Sequence, residues 1–477
     1  MRLLPKIALL LAVALVSVNA YPGHRWKHCQ SAHFTLSYNE TTAHLAKQAL
    51  GIAEEIYATF RQRFGWKIDY RVSIALRDDG DYSNGAAYTL SPLVTIDCRK
   101  TKFDWRGETA WLRTALSHEL AHHFTLKAMR IPLPIHVSIG TASQGLLTST
   151  SAGIMHNPLP MWFVEGVAQW GSLEFRADTF DVYREMLLRD AWKSGRILTL
   201  KEMARFDGTS REYELVYNQG FDFLLFLRGR KPAGSLDSLC AWVMERGFKN
   251  GFRRWCGKSI EDAYASWRAF LDNRFDAFPV EPLAAQPLFG NRGALTYESS
   301  SPDNGTTVVA NWAHDYPVFD LYRKDASGLL KRVVKDVGPW CVHDPFNGEA
   351  FFARKVYNYR AGAVQNDIYS IDVSGRARRH TRNARSMVYD AKNGLLAYGA
   401  YENGTTSIRI KKGESTSNVI SFGPDTALYS LALWDQALIA TLAPGSHLSL
   451  VRIEDGVATD LWPERKCDIF DGIPWNG

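Results

Sequence analysis

The sequence lacks a strong excess of charge of either sign. Its 56 Lys and Arg residues against 50 Asp and Glu residues leave a formal net charge of +6 in a chain of 477 residues. Two of the positive charges, Arg2 and Lys6, lie in an N-terminal segment that we expect to be removed. A balance this close to neutral argues against the basic surface on which nucleic-acid binding depends. No nucleic-acid partner is therefore predicted.

Long apolar runs are also lacking once the N-terminus is passed. After residue 20 no unbroken apolar stretch reaches the length of about 18 residues that a membrane-spanning helix needs. The N-terminal run, Ile7–Val18, follows two basic residues and precedes Val18-Asn19-Ala20, which places small residues where a signal peptidase reads them. The sequence therefore predicts a signal peptide over residues 1–20 with cleavage after Ala20. A secreted or periplasmic protein without an integral membrane span is expected.

Cysteine is scarce, and none of the six cysteines stands in C-x-x-C spacing. This pattern does not indicate a cysteine-based metal or redox site. An oxidising compartment favours disulfides instead. Pairing by neighbourhood along the chain predicts three of them, Cys29–Cys98, Cys240–Cys256 and Cys341–Cys467.

Strand and helix patterns alternate and then give way to helices up to about residue 278. Period-two alternation predicts strands, and apolar residues at three- and four-residue steps predict helices. The strands are expected at 32–38, 71–76 and 93–97, and the helices at 45–64, 108–128, 162–175, 180–194, 213–227, 236–247 and 260–275. Asp78, Asp79 and Asp81 are predicted to form a solvated turn, because the spacing of a calcium-binding loop is not met. The uncharged segment 131–160 is predicted to be a lid near a site or, equally, an irregular surface insertion.

One of the predicted helices carries a motif with metal-ligand spacing. His118-Glu119-Leu120-Ala121-His122 is an H-E-x-x-H sequence, and at about 3.6 residues per turn its histidines lie on one helix face. Both imidazoles can reach one Zn²⁺ ion, with Glu119 beside them as a general base. His123 lies about 100° further around the helix and is not expected to be a ligand.

The third ligand must come from another part of the chain. Thr125 and Ala128 stand where a metzincin has Gly and His, so that group of zinc peptidases is excluded. The first acidic residue after His122 is Glu165. It stands in Trp162-Phe163-Val164-Glu165-Gly166-Val167-Ala168, which follows Pro160 and is predicted to be helical.

The two motifs together resemble the peptidase MA-like gluzincins, zinc metallopeptidases in which a second helix supplies a glutamate ligand. The likeness extends more loosely over residues 32–278 and assigns residues 21–278 to the metallopeptidase domain. It implies an α+β catalytic domain, a small sheet plus helices, in which an edge strand can hold an extended peptide. Leu93–Asp97 is the strand expected in that position.

Carried over residue by residue, the resemblance implies His118, His122 and Glu165 as ligands of one zinc ion per chain, with Glu119 as the general base. It implies Tyr217 as the donor that stabilises the tetrahedral intermediate. Tyr213 competes for that role, and a buried core tyrosine is an equally open interpretation. Gln169 stands where relatives commonly carry an acid that orients a ligand histidine, so it is expected to do the same or to be a helix-packing residue.

The character of the sequence changes after residue 278. Residues 279–288 contain three prolines and predict a linker, and in residues 289–477 strands and turns replace helices. A strand–turn pattern recurs there at Leu321, Ile368, Ile408 and Leu450, with steps of 47, 40 and 42 residues. This period resembles that of TolB-like β-propellers, which implies an all-β propeller-like domain of about four blades that could recruit a protein or a glycan. A β-sandwich is the alternative.

The sequence therefore predicts a secreted zinc metallopeptidase that hydrolyses a peptide or protein substrate by zinc-activated water. Two alternatives stay open. One is a binding protein whose propeller holds a partner while the metallopeptidase half is catalytically degenerate. The other is a zinc hydrolase that acts on a non-peptide amide.

Overall fold

The structure is a computed structural model that describes most of residues 25–463. Its gaps are residues 69, 79, 82, 89–91, 102–104, 108–109, 129–135, 139–150, 154–158, 231–234, 277–295, 302–304, 312–314, 316–317, 325–326, 359–362, 403, 424–425, 435–436 and 446. The predicted signal peptide, the linker 279–288, Cys467 and most of the segment 131–160 lie outside the described residues.

A five-stranded mixed sheet forms the N-terminal part of the protein. Its strands are β1 (Lys27–Gln30), β2 (Phe34–Tyr38), β3 (Val72–Arg77), β4 (Asn84–Ala87) and β5 (Leu93–Asp97). They lie in the order β1-β2-β3-β5-β4, with β3 parallel to both its neighbours and the two outer strands antiparallel to theirs. Alternate apolar side chains of β2 and β3 are buried in one core with the helix α1 (Ala46–Phe64).

The two edges of this sheet are β1 and β4, and the expectation that Leu93–Asp97 is an edge strand was wrong. β4 pairs along β5, with Asn84 opposite Asp97 and Ala87 opposite Val94, so β5 lies inside the sheet. The strand escapes sequence analysis because Asn84-Gly85 is typical of a turn and no β-branched residue marks the segment.

Helices dominate from residue 111 to residue 275. They are α2 (Trp111–Ala128), α3 (Met161–Glu174), α4 (Val182–Lys193), α5 (Ser210–Gly229), α6 (Leu236–Arg246), α7 (Phe248–Cys256) and α8 (Ile260–Phe275), with 3-10 turns at Ala43–Leu45 and Glu202–Ala204. The predicted helices agree with these bounds to within three residues, but α7 was not predicted. Two short strands, β6 (His136–Ser138) and β7 (Ser151–Gly153), pair with each other between α2 and α3. In the part of the chain that the structure describes, no helix has the length and hydropathy to cross a membrane.

Helix α3 lies between α2 and α5 at very short range. A side-chain carbon placed at Gly171 would come within 2.8 Å of Ala121 Cβ on α2. One placed at Gly166 would come within 2.8 Å of the Gly220 carbonyl oxygen on α5. Only glycine permits backbones to approach this closely. The three helices therefore form one tightly packed unit.

The C-terminal half consists, in its described residues, of four antiparallel four-stranded sheets. The first has β8 (Thr296–Ser301), β9 (Gly305–Ala310), β10 (Phe319–Lys324) and β11 (Leu330–Val337), and the second has β12 (Cys341–His343), β13 (Ala350–Asn358), β14 (Ala363–Ile371) and β15 (Ala377–Arg379). The third has β16 (Ala384–Asp390), β17 (Leu395–Glu402), β18 (Thr405–Lys412) and β19 (Ser415–Ser421), and the fourth has β20 (Thr426–Trp434), β21 (Ala437–Pro444), β22 (Ser449–Glu454) and β23 (Val457–Asp460).

The predicted repeat coincides with these four sheets. Its markers Leu321, Ile368, Ile408 and Leu450 each lie on the third strand of a sheet, β10, β14, β18 and β22. Four separate meanders are compatible with a propeller-like all-β domain rather than with the two packed sheets of a β-sandwich. Within the described residues no sheet closes on itself.

Two of the predicted disulfides are wrong, since no bond joins Cys29 to Cys98 or Cys240 to Cys256. Cys29 lies on β1 and Cys98 directly follows β5, with two strands between them. Three strand spacings of roughly 4.8 Å already separate them by at least about 14 Å, which no disulfide can span. Cys240 is fully buried among apolar side chains of the helices.

Asp78 and Asp81 of the turn after β3 are buried rather than solvated, so for these two residues that prediction was also wrong, while Asp79 lies outside the described residues. Asp78 is 8% exposed, and the side chain of Asp81 is 5% exposed. Both carboxylates pair with Arg99, and Asp81 also pairs with Arg385 of the third C-terminal sheet. Sequence proximity alone could not reveal a partner that lies 304 residues away.

Candidate metal centre

Three side chains from two helices bring their donor atoms together. His118 Nε2 lies 3.0 Å from His122 Nε2, and Glu165 Oε2 lies 3.1 Å from each of these nitrogens. Ligands at about 2.0–2.1 Å from a tetrahedral zinc ion are about 3.3 Å from one another. The triangle is therefore close to the size that fits one zinc ion. Among the described residues, this is the one group of three or more His, Cys, Asp and Glu side chains with such spacing.

The positions of the three side chains follow from the packing of α2 and α3. Trp111, the first residue of α2, donates its indole N–H to the Asp97 carbonyl oxygen at 2.8 Å, which ties the start of this helix to β5. Further along, the hydroxyls of Ser117 and Ser172 share a hydrogen bond between α2 and α3. Glu165, in the first turns of α3, is thereby held beside the histidines of α2.

Charge and burial at the triangle favour a bound cation. Glu165 is 6% exposed and His122 is 8% exposed. Burial alone would raise the pKa of Glu165, but His122 and His118 hold that pKa well below its usual range. The carboxylate is therefore ionised. Because two nitrogen donors and an ionised carboxylate are typical zinc ligands, the residues present fit this metal.

Glu119 lies beneath the edge strand β4. A side-chain carbon placed at Gly85 would come within 2.6 Å of Glu119 Oε1, and the Ala87 N–H donates a hydrogen bond to the same carboxyl group. Burial raises the pKa of Glu119, while His118 and His122 oppose the rise. A buried carboxyl group between the triangle and a strand edge is well placed to exchange a proton with a substrate that lies along that strand.

Tyr217 lies on α5 with its ring centroid 6.3 Å from that of His118. Burial and the charge of Glu165 raise the pKa of Tyr217 well above its ordinary value, although Arg106 opposes the rise. A phenol with its ordinary pKa is already protonated at neutral pH, and this shift extends the protonated form to higher pH, so Tyr217 can donate a hydrogen bond.

An ion pair that the sequence analysis did not find lies beside Tyr217. Arg106 donates from Nε and Nη2 to the two carboxylate oxygens of Glu214 at 2.7 and 2.9 Å, and its guanidinium lies 5.3 Å from the Tyr217 ring centroid. Tyr213 is 41% exposed and stacks on Phe206 at 4.2 Å. The structure thus places Tyr217 next to His118 and leaves Tyr213 partly exposed at the surface.

His122 Nδ1 and Gln169 Oε1 are among the buried polar atoms that have no hydrogen-bond partner in the part of the chain that the structure describes. Gln169 is 2% exposed and lies one helical turn after Glu165 on α3. An imidazole N–H is a donor and an amide oxygen is an acceptor, so the two atoms are complementary. The predicted role of Gln169 in orienting a ligand histidine stays a prediction.

His123 is separate from the triangle, as its position on the helix indicates. Its Nε2 lies 2.8 Å from the Tyr70 hydroxyl, and its ring packs at right angles to that of Tyr70. The residue is buried on a side of α2 that faces other partners.

No family model and no curated protein matches the sequence. Among solved structures, an aminopeptidase N family protein from Idiomarina loihiensis aligns over 83% of this chain and 66% of that one, at 13% identity and a TM-score of 0.29. The β-propeller domain of the Trilobed protease from Pyrococcus furiosus aligns over 36% of this chain and 58% of that one, at 14% identity and a TM-score of 0.27.

An acylaminoacyl peptidase from Pyrococcus horikoshii aligns over 36% of this chain, at 12% identity and a TM-score of 0.26. The aligned region spans 32% of that peptidase. These likenesses are distant, and membership of a family does not follow from them.

Proposed function

We propose that this chain is a secreted zinc metallopeptidase of gluzincin type that hydrolyses peptide bonds. His118, His122 and Glu165 hold one zinc ion, and Glu119 is the general base. The observation that carries the proposal is the triangle of donor atoms at 3.0–3.1 Å, with Glu119 between it and a strand edge. Catalytic zinc sites typically have three protein ligands and an open fourth position, which this donor set would leave.

The residues around the triangle supply the remaining steps of hydrolysis. Zinc bound there would lower the pKa of water and polarise a carbonyl group. Glu119 accepts the proton of the attacking water and returns it to the leaving amine. Tyr217, whose phenol is protonated at neutral pH, donates a hydrogen bond to the oxygen that becomes negative. Gln169 Oε1 and His122 Nδ1 are not hydrogen-bonded to each other in this structure, but a small movement would let the amide oxygen accept from the imidazole and fix its orientation.

The edge strand β4 supports a peptide as the substrate. It is the outermost strand of the sheet next to Glu119, so an extended peptide can add to the sheet along it. Addition to a sheet edge satisfies the backbone groups of the peptide and places successive carbonyl groups at fixed intervals. One of these carbonyls would then lie over the triangle.

The test is cleavage of an unbiased peptide library by the zinc-loaded protein without residues 1–20. Mass spectrometry identifies the products, and Glu119→Gln, with matched zinc content, is the control. We expect cleavage by the wild type and none by Glu119→Gln. If a folded wild type with stoichiometric zinc cleaves no peptide, the peptidase proposal fails, and a binding protein or a hydrolase of another amide becomes the better explanation.

A further inference from the structure

The turn that leads into β4 meets the second C-terminal sheet backbone to backbone. Gly80 forms a parallel β-bridge with Val364 of β14, and the Asp81 N–H donates to the Val364 carbonyl oxygen at 2.8 Å. Gly80 has a φ of +136°, and a side-chain carbon there would lie 2.0 Å from the same carbonyl oxygen. Glycine is therefore required for the two backbone segments to come into contact at this point.

The carboxylate of Asp81 accepts hydrogen bonds from both C-terminal and N-terminal residues. Arg385 of β16 donates to Oδ1 from Nε at 2.6 Å and also from Nη2. Asn366 of β14 donates to Oδ2 from its backbone N–H at 2.9 Å and from Nδ2 at 2.7 Å. Arg99, which follows β5, donates to Oδ1 at 3.0 Å. The side chains of Asp81 and Arg99 are 5% exposed and that of Arg385 is 10% exposed, so this charged network is buried between the two halves.

Contacts around the network extend to the other C-terminal sheets. The guanidinium groups of Arg99 and Arg385 lie 4.3 and 5.0 Å from the ring centroid of Tyr401 on β17. Lys100 donates from Nζ to the Ala443 carbonyl oxygen of β21 at 3.2 Å. Residues from the second, third and fourth C-terminal sheets therefore contact the segment that precedes β4 and the segment that follows β5 in the sequence.

This contact lies very close in sequence to the strand over the metal centre. β4 begins three residues after Asp81, and its residues Gly85 and Ala87 contact Glu119. Between them, Ser83 Oγ donates to the Arg99 carbonyl oxygen at 2.5 Å. A shift of Asp81 is therefore transmitted over a few bonds to the strand along which the substrate is expected to bind.

We propose that the C-terminal sheets position β4 for substrate binding through Asp81, and that Arg385 and Asn366 are positioning residues in the reaction. The proposal rests on the proposed function for the identity of the substrate, an extended peptide paired with β4. A purely structural role would be different, because it would bind the two halves together without any effect on how β4 holds a peptide.

The experiment compares Arg385→Gln and Asn366→Ala with the wild type in the zinc-loaded full chain. Asn366→Ala removes one side-chain donor to Asp81 and keeps the backbone N–H. The control is Arg409→Gln, because Arg409 pairs with Glu402 inside the third sheet at 2.8 Å. Two readouts are measured, the kinetic constants for a long library-derived peptide and its truncated form, and amide hydrogen exchange of residues 83–88.

We expect Arg385→Gln to raise KM for the long peptide about tenfold with kcat within about twofold, which is the pattern of lost binding rather than lost chemistry. The truncated peptide, which does not reach along β4, should change much less. Exchange at residues 83–88 should become about tenfold faster, because their local opening becomes easier. Asn366→Ala should show the same pattern more weakly, and Arg409→Gln should match the wild type.

The proposal would be overturned if, in both variants, hydrogen exchange at residues 83–88 and the ratio of KM for the long peptide to KM for the truncated peptide stayed as in the wild type. A fall in kcat that is equal for the long and the truncated peptide would also overturn it. If Arg385→Gln does not fold, Asn366→Ala decides. If the wild type itself cleaves no peptide, the proposed function fails, and the hydrogen exchange alone tells whether the C-terminal sheets position β4.

Discussion

Glu165 Oε2 lies 3.1 Å from His122 Nε2, although the two residues are 43 positions apart and belong to different helices. A carboxylate and an imidazole could form this contact as a simple ion pair. His118 Nε2, however, lies 3.0 Å from His122 Nε2 and 3.1 Å from the same carboxylate oxygen. Three mutually close donor atoms are better explained by a shared cation than by pairwise hydrogen bonds.

Loss of Glu165 should therefore remove the metal. We expect Glu165→Ala to lower the zinc content of the purified protein from about one ion per chain to near zero, because three protein ligands are needed for tight binding. His123→Ala is the matched control, since His123 is buried on the same helix but bonds to Tyr70. Zinc is measured by elemental analysis on folded samples. A Glu165→Ala protein that retained one tightly bound zinc ion would contradict the assignment of this ligand.

The roles of Tyr217 and Tyr213 can be distinguished by removing the hydroxyl group from each in turn. We expect Tyr217→Phe to lower kcat by about 10²-fold with little change in KM, because the hydroxyl acts on charge that develops in the transition state. Tyr213→Phe should leave kcat within about twofold, since its side chain is 41% exposed, whereas the ring centroid of Tyr217 lies 6.3 Å from that of His118. Steady-state kinetics on a library-derived peptide provide the measurement. Equal losses in the two variants would remove the distinction between them.

Gln169 is expected to act on metal affinity rather than on folding. Gln169→Leu removes the amide oxygen available to a ligand histidine, so zinc affinity should fall by about 10-fold or more. Gln169→Glu should raise the affinity, because a carboxylate accepts the imidazole N–H more strongly. Competition with a chelator of known affinity measures both. If both variants bind zinc as the wild type does, Gln169 is only a packing residue.

The close contact of α3 with α5 predicts that a glycine-to-alanine substitution at this contact lowers the stability of the protein. Gly166→Ala places a carbon 2.8 Å from the Gly220 carbonyl oxygen, so we expect a loss of about 1–3 kcal/mol in the free energy of unfolding. Zinc affinity should fall as well, because α3 also carries Glu165. Gly51→Ala is the control, since no atom lies within 4 Å of the added carbon on α1.

In that control, the stability should rise by about 0.5–1 kcal/mol, because alanine favours a helix interior over glycine. Urea unfolding of both variants measures the difference. Equal effects of the two substitutions would show that α3 and α5 can separate without cost.

Asp81 should make the stability of the protein depend on pH in a defined direction. Burial alone would raise the pKa of Asp81, but Arg385 and Arg99 hold it well below its ordinary value. The unfolded chain binds a proton near its ordinary pKa of about 3.9 while the native carboxylate stays ionised. The stability that Asp81 contributes is therefore fully present above that pKa and is lost as the pH falls below it.

The comparison of the wild type with Asp81→Asn tests this expectation. The difference in their free energies of unfolding should be largest above about pH 5 and should shrink as the pH falls through about 4 and below. Urea unfolding at several pH values measures it. A difference that stayed constant with pH would show that the charge of Asp81 does not contribute.

Sequence analysis predicts the parts of this protein that depend on local spacing. His118 and His122 share a helix face because they are four residues apart, and Leu450 and the other repeat markers lie on equivalent strands because each sheet is a local meander. The helices other than α7 follow from periodicity in the same way. These features need no knowledge of distant partners.

The parts that depend on distant pairing could not be predicted. β4 has no strand signature of its own and exists because β5 pairs with it. Cys29 and Cys98 are consecutive cysteines along the sequence, but the strand order places β2 and β3 between them. Arg385, one of the partners of Asp81, lies 304 residues away from it, and nothing near either residue indicates the other.

The bridge between Gly80 and Val364 also limits how this protein could be recombined. A change of sequence character near residue 278 suggests two exchangeable modules. Yet a C-terminal half taken from another protein would need two features to fit this N-terminal half. It would need a backbone carbonyl group available for hydrogen bonding at the position of Val364, and an arginine at the position of Arg385. The N-terminal half expressed alone would expose the Asp81 carboxylate to solvent. The two halves are therefore constrained to evolve, and to be engineered, as a matched pair.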